Sequence, residues 1–162
     1  MNPHIIRLDI PATHQYLNVV TDCINAMLSR ANVSIQNEQT SYNITLAVQE
    51  LCTNIVNHAY AGQSGRIQIG LKVVPETKTL TVELQDTAPT SFDVSQQAEP
   101  TLDKPQVHGL GLWLVQQMID EVVYYARNGR IWHYEKQGSW RENTVPTDKQ
   151  RSGNRWQLTT TL

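Results

Sequence analysis

From His4 to Ile10 apolar and polar residues alternate, with Ile6, Leu8 and Ile10 on one side and Arg7 and Asp9 on the other. A period of two is the pattern of a half-buried strand. Pro11 ends it, and Thr13 is placed to cap a helix in which Leu17, Val20, Ile24, Met27 and Leu28 recur at helical spacing as far as Arg30. A polar stretch, Asn32 to Thr40, leads to a second helix from Ser41 to His58, closed by the turn Ala61-Gly62-Gln63-Ser64-Gly65. Two strands follow with clean alternation: Ile67, Ile69, Leu71 and Val73 share one face, then Leu80, Val82 and Leu84, with Pro75 to Lys78 as the hairpin turn. The pattern vanishes over residues 87 to 108, which hold Pro89, Pro100 and Pro105. Loops of this length inside a compact domain are often lids or binding segments.

Helical spacing returns at Gly109, where Leu110, Leu114, Val115, Met118, Ile119 and Val122 form the stripe of a third helix. Val122 to Arg127 turns β-like, and Asn128-Gly129 predicts a type I′ hairpin to a partner strand, Arg130 to Glu135. Residues 137 to 153 are polar and irregular, and Trp156 to Leu162 alternates as a last strand. The expected architecture is an α/β two-layer sandwich, a mixed but mainly antiparallel sheet with helices on one face. The expected organisation is a single domain, 1–162, carrying a polar insertion at 137–153.

Composition narrows the function classes. The 162 residues are 40% hydrophobic and 17% charged, which is globular, and the net charge is −2. The 13 Lys and Arg are scattered, so the sequence shows no electrostatic footprint for nucleic acid or an anionic membrane. No stretch approaches the ~20 apolar residues of a membrane span. Cys23 and Cys52 lie apart in apolar, helix-like surroundings and read as buried thiols of a reducing compartment, so a cytoplasmic location is expected.

Three clusters carry candidate chemistry. On a helical wheel with Glu50 at zero, Asn54 falls near 40° and His58 near 80°, beside an apolar stripe of Ile44, Val48, Leu51 and Ile55. An acid, an amide and an imidazole thus step along one line, either as a boundary stripe capped by loops or as a face presented to a cleft. Asp86 ends a Thr- and Val-rich strand, where a carboxylate can serve turn chemistry or accept a hydrogen bond from an exocyclic amine. His108-Gly109-Leu110-Gly111-Leu112 precedes a helix. Glycines let a ligand approach the backbone, and a helix start offers free N–H groups to an anion.

Order and spacing together resemble a known family. Glu50-Leu51-Cys52-Thr53-Asn54-Ile55-Val56-Asn57-His58-Ala59-Tyr60 resembles the N-box of GHKL (histidine-kinase-like) ATPases in the form found in anti-sigma-factor serine/threonine kinases. Asp86-Thr87-Ala88-Pro89 with Phe92-Asp93 resembles that family's G1 segment, and His108 to Val115 its G2 segment. The match runs from residue 4 to residue 136. It implies the histidine-kinase-like (Bergerat) fold, with ATP and Mg²⁺ as ligands. It also implies that Asn54 coordinates Mg²⁺, that Glu50 is the catalytic base, and that Asp86 binds the adenine amino group. Gly109 and Gly111, with the backbone of Leu110 and Leu112, would cradle phosphates under a lid of residues 93–108. His58 would support the N-box rather than ligate metal.

Three departures stand out. Ala88 takes the third position of a usual D-x-G, His108 stands where the family often has Arg or Gly, and the tail past Gln137 is longer than the family needs. That tail reads as an extra partner surface or as a loop plus an added edge strand. The function implied is transcriptional regulation by partner switching: binding a sigma factor or similar regulator, and phosphorylating a serine on a STAS-domain antagonist. A homodimer is implied as well. Two other functions are open, a nucleotide-responsive module that sequesters its partner without turnover and an ATPase acting on a small molecule.

Overall fold

The structure is a computed structural model that describes residues 2–31, 33, 38–96, 103, 110–143 and 152–162. Seven strands form one sheet in the order β1-β2-β3-β7-β4-β5-β6. These are β1 (His4–Pro11), β2 (Arg66–Val74), β3 (Thr79–Asp86), β4 (Glu121–Tyr125), β5 (Ile131–Glu135), β6 (Arg141–Asn143) and β7 (Asn154–Thr161). Every neighbouring pair is antiparallel, so the expected mixed component is not found. Three α-helices are found among the described residues: α1 (Leu17–Arg30), α2 (Glu38–Asn54) and α3 (Leu110–Met118). None of these is long and apolar enough to cross a membrane.

The alternation read from sequence sets the inner face. Ile67, Ile69, Leu71 and Val73 of β2 are buried, as are Leu80, Val82 and Leu84 of β3. The cross-strand register joins Leu8, Ile69, Leu84, Trp156, Tyr124 and Trp132 into one row across the sheet. Against it lie Leu17, Val20, Ile24, Met27 and Leu28 of α1, the five positions expected, with Ile44, Val48, Leu51 and Cys52 of α2. Both cysteines are free thiols, and burial pushes the Cys52 thiol up to about 12, which keeps it protonated and inert.

Several local expectations are corrected. Thr13 is extended and starts a 3₁₀ turn, His14–Tyr16, without a side-chain cap, so α1 begins only at Leu17. α2 begins at Glu38 and ends at Asn54; Ile55–Ala59 continues as a π-turn closed by Tyr60 N–H donating to Ile55 O at 3.0 Å. In α3 the buried positions are Leu112 and Val115, Leu110 is exposed, and the helix stops at Met118, so Val122 belongs to β4. The β4–β5 turn has positive φ at Gly129 and not at Asn128. Gly129 N–H donates to Ala126 O and Ala126 N–H to Arg130 O, the pattern of a type I turn with a glycine bulge instead of type I′.

The largest correction concerns the tail. The last strand, expected at the edge, is central: β7 pairs with β3 on one side and β4 on the other. Its alternation buries Asn154, Trp156, Leu158 and Thr160. Within the expected insertion, Arg141–Asn143 forms an edge strand on β5, and residues 144–151 lie outside the described residues.

Candidate functional site

Strand parity decides where Asp86 points. It shares the face of Leu80, Val82 and Leu84, so its carboxylate turns inward at the sheet's end and is 2% exposed. Its register partners there are Ile67 on β2 and Asn154 on β7. A buried carboxylate needs donors. Oδ1 accepts from Ala88 N–H at 2.9 Å and from Asn154 Nδ2 at 3.0 Å. Burial nonetheless holds the Asp86 carboxyl above the ordinary carboxylate range, and the bond from Asn154 and the Arg127 charge pull the other way.

Asn154 is the hub of this end, and nothing in the local sequence singles it out. Its Nδ2 also donates to Thr90 O at 3.0 Å, and its Oδ1 accepts from Arg127 N–H and Ser91 Oγ, both at 2.9 Å. All four hydrogen-bonding capacities of one buried amide tie β3, the loop after it, and the exit of β4 together. Gly153 allows this approach, because a Cβ there would collide with the Asp86 backbone carbonyl. Tyr60 secures the other side: its hydroxyl donates to Arg66 O at 2.6 Å and accepts from Thr87 N–H at 3.0 Å. Gly65 leaves room for that ring, since any Cβ would strike it.

Above Asp86 opens a cavity of about 330 Å³ lined by Asn54, Ile55, His58, Thr90, Ser91, Phe92, Asp93, Tyr124 and Trp156 among others. One wall is aromatic. Tyr124 stacks on Trp156 with centroids 4.1 Å apart, and Phe92 lies T-shaped to Tyr124 and tilted to Trp156. Phe92 N–H donates to the Tyr124 hydroxyl at 2.8 Å, which fixes the loop to the sheet. A flat apolar cavity with a buried carboxylate on its floor can hold a purine whose exocyclic amine points at the acid.

Part of the α2 stripe also borders the cavity. Asn54 and His58 line the cavity, His58 exposed at its mouth, and Glu50 lies one turn back along α2. The π-turn begins just beyond Asn54, so the simple helical wheel ceases to hold there; such turns cluster at functional sites. Gly111 of α3 packs directly on the stripe: a Cβ built on it would lie 2.7 Å from Glu50 Oε2 and 3.6 Å from Asn54 Nδ2. Glycine here lets the first described turn of α3 approach the acid and amide. Leu112 is buried in the core beneath. His108 and Gly109 lie outside the described residues, as does most of the expected lid.

Ala88, the departure from D-x-G, is fully buried in the core and absent from the cavity lining, and its φ is not left-handed. Its backbone bonds Asp86 and Arg127.

Residues 10–132 match the histidine kinase-like ATPase domain family, a span that includes α1, α2, α3 and the described site except Gly153, Asn154 and Trp156. The chain belongs to that family. Its curated relatives include the serine-protein kinase RsbW of Bacillus pumilus, 29% identical over 77% of this chain and 80% of the relative. The protein of the same name from Bacillus subtilis is 28% identical over 79% and 82%, and that from Staphylococcus epidermidis 28% over 76% and 80%. An ATPase family predicts a nucleotide, and the residues present fit one: a buried acceptor for an amine, an aromatic wall, and an amide oxygen with a helix start at the far end.

Proposed function

We propose that this chain is an ATP-dependent protein-serine kinase of the anti-sigma-factor type, working in the cytoplasm as a homodimer. In this reading it binds a sigma factor or similar regulator and phosphorylates a serine on a STAS-domain antagonist. The observation that carries the proposal is one cavity lined by both Asn54 and the buried Asp86, with Glu50 and Asn54 packed against Gly111 beside it.

Each residue has a role that follows from its place. Asp86 accepts from the adenine amine, and Phe92, Tyr124 and Trp156 supply the apolar wall. Asn54 offers an amide oxygen, a hard and neutral ligand suited to Mg²⁺. When bound, Mg²⁺ and ATP supply charge neutralisation and the transferable phosphoryl group. Glu50, one turn from Asn54, orients the acceptor serine hydroxyl and takes its proton. The backbone N–H groups at the start of α3, around Gly111, face the phosphate end.

A second reading, a partner-sequestering module without turnover, draws on Ala88. Ala88 is buried in the core and is not among the residues lining the cavity, which weighs against it. The two separate in one assay: the purified chain with labelled ATP, Mg²⁺ and a serine-bearing STAS-domain protein. We expect transfer to serine, reduced by about 100-fold or more in Glu50→Ala with ATP binding kept. Transfer by Glu50→Ala at the wild-type rate removes Glu50 as the base; no transfer by the wild type favours sequestration.

A further inference from the structure

We propose that the outer face of the β4–β5 hairpin binds a divalent transition-metal ion of the zinc class through Glu121, His133 and Glu135. This site is separate from the nucleotide cavity and does not rest on the kinase reading. Strand alternation turns Val122 and Tyr124 inward and leaves Glu121 on the helix-free face. Glu135 is directly opposite Glu121 in the ladder, and His133 precedes it by two residues on the same face.

Three donor atoms, one from each side chain, lie within 4.8 Å of one another. His133 Nε2 is 3.1 Å from Glu121 Oε2 and 3.8 Å from Glu135 Oε1. Ligand atoms on a tetrahedral zinc ion sit roughly 3.4 Å apart, given metal–ligand bonds of about 2.1 Å. Glu135, its side chain 72% exposed, has the freedom to close the remaining gap.

The charge pattern also calls for a cation. Two carboxylates directly opposite in a ladder repel. The nearby cations serve elsewhere: Lys136 is 3.6 Å from Asp120, and Arg130 makes paired bonds to Glu142. Arg141 lies opposite His133 on β6 and forms no ion pair with either carboxylate. Among the described residues one imidazole is thus the cationic group paired with the two acids. A divalent ion balances both charges and uses the imidazole neutral. One nitrogen with two oxygens suits zinc, whereas Ca²⁺ and Mg²⁺ take all-oxygen sets. A fourth ligand, water, has room in the open groove bounded by Val123, Tyr125 and Gln157.

The test is a calorimetric titration of ZnCl₂ into the metal-free full chain, without nucleotide, beside His133→Ala and Glu135→Gln. We expect one ion per wild-type chain and an affinity lower by ~10-fold or more in each variant. MgCl₂ should give no matching heat. Circular dichroism and thermal unfolding without metal should be unchanged, and the exposed Glu135 keeps the test valid should His133→Ala disturb the fold. Wild-type affinity in Glu135→Gln and His133→Ala would place the ion on other histidines or on Cys23 and overturn the proposal. Absence of zinc binding by the wild type would overturn it equally.

Discussion

The two ends of the cavity are built on opposite principles. At the Asp86 end the two buried polar side chains are matched: Asp86 to Ala88 and Asn154, and Asn154 to Thr90, Ser91 and Arg127 as well. At the α2 end, Glu50 and Asn54 are half-buried, His58 is exposed, and no hydrogen bond among the described residues engages any of the three side chains. The first end is a preformed acceptor held by strands. The second presents side chains that have no hydrogen-bond partner among the described residues. Rigid positioning suits recognition of a flat base, and open groups suit a reaction that must admit a second protein.

The sharpest way to break this contrast is Asp86→Asn, which removes the acceptor charge. We expect ATP affinity to fall by about 100-fold, the upper range for a hydrogen bond to a charged group, in a calorimetric titration. The fold should respond in the opposite sense. Burial raises the folded-state value of Asp86, so the folded chain holds that proton more tightly than the unfolded chain. The resulting stability is full below the unfolded value, about 3.9, and is lost as pH rises through the raised folded value. Asp86→Asn has no such loss. Its urea stability relative to wild type should therefore improve from pH 4 to pH 7; a difference independent of pH would deny that Asp86 is strained by burial.

Next in size is Asn154→Ala. It strands the Asp86 carboxylate, Thr90 O and Arg127 N–H, and we expect a loss of about 2–3 kcal/mol in urea unfolding, with ATP affinity weakened less than in Asp86→Asn. A loss below ~0.5 kcal/mol would mean that water replaces the amide and that this end is not rigidly built. The smallest effect belongs to Ala88→Gly. With its methyl in the core, reverting to D-x-G should cost about 1 kcal/mol of stability and leave ATP affinity within about threefold. A large gain in affinity would show that Ala88 had been obstructing the base.

The two ends also differ in how far they could be read from sequence. The α2 stripe is local: Glu50, Asn54 and His58 follow from helical spacing, and only the π-turn after Asn54 was hidden, because i→i+5 bonding leaves no periodicity of its own. Asp86 was half legible. The alternation of Leu80, Val82 and Leu84 already fixes its inward direction, yet its value depends on a partner 68 residues away. That partner was not legible, since the tail read as an edge and no local pattern says which strands β7 will join. The same non-local choice brings Trp156 to Tyr124 and makes the aromatic wall. Asn128-Gly129 located its hairpin correctly, but the turn needs left-handed φ only at Gly129.

The central claim is that Asp86 reads the amine of adenine. The most direct measurement is calorimetry of ATP against GTP on the wild-type chain with Mg²⁺. GTP carries the same phosphates but sets a carbonyl oxygen where ATP has its amine. The account predicts micromolar ATP binding and GTP weaker by about 100-fold, because two acceptors would face each other in a buried site. Equal affinities would contradict it, and would mean that the phosphate end alone holds the nucleotide.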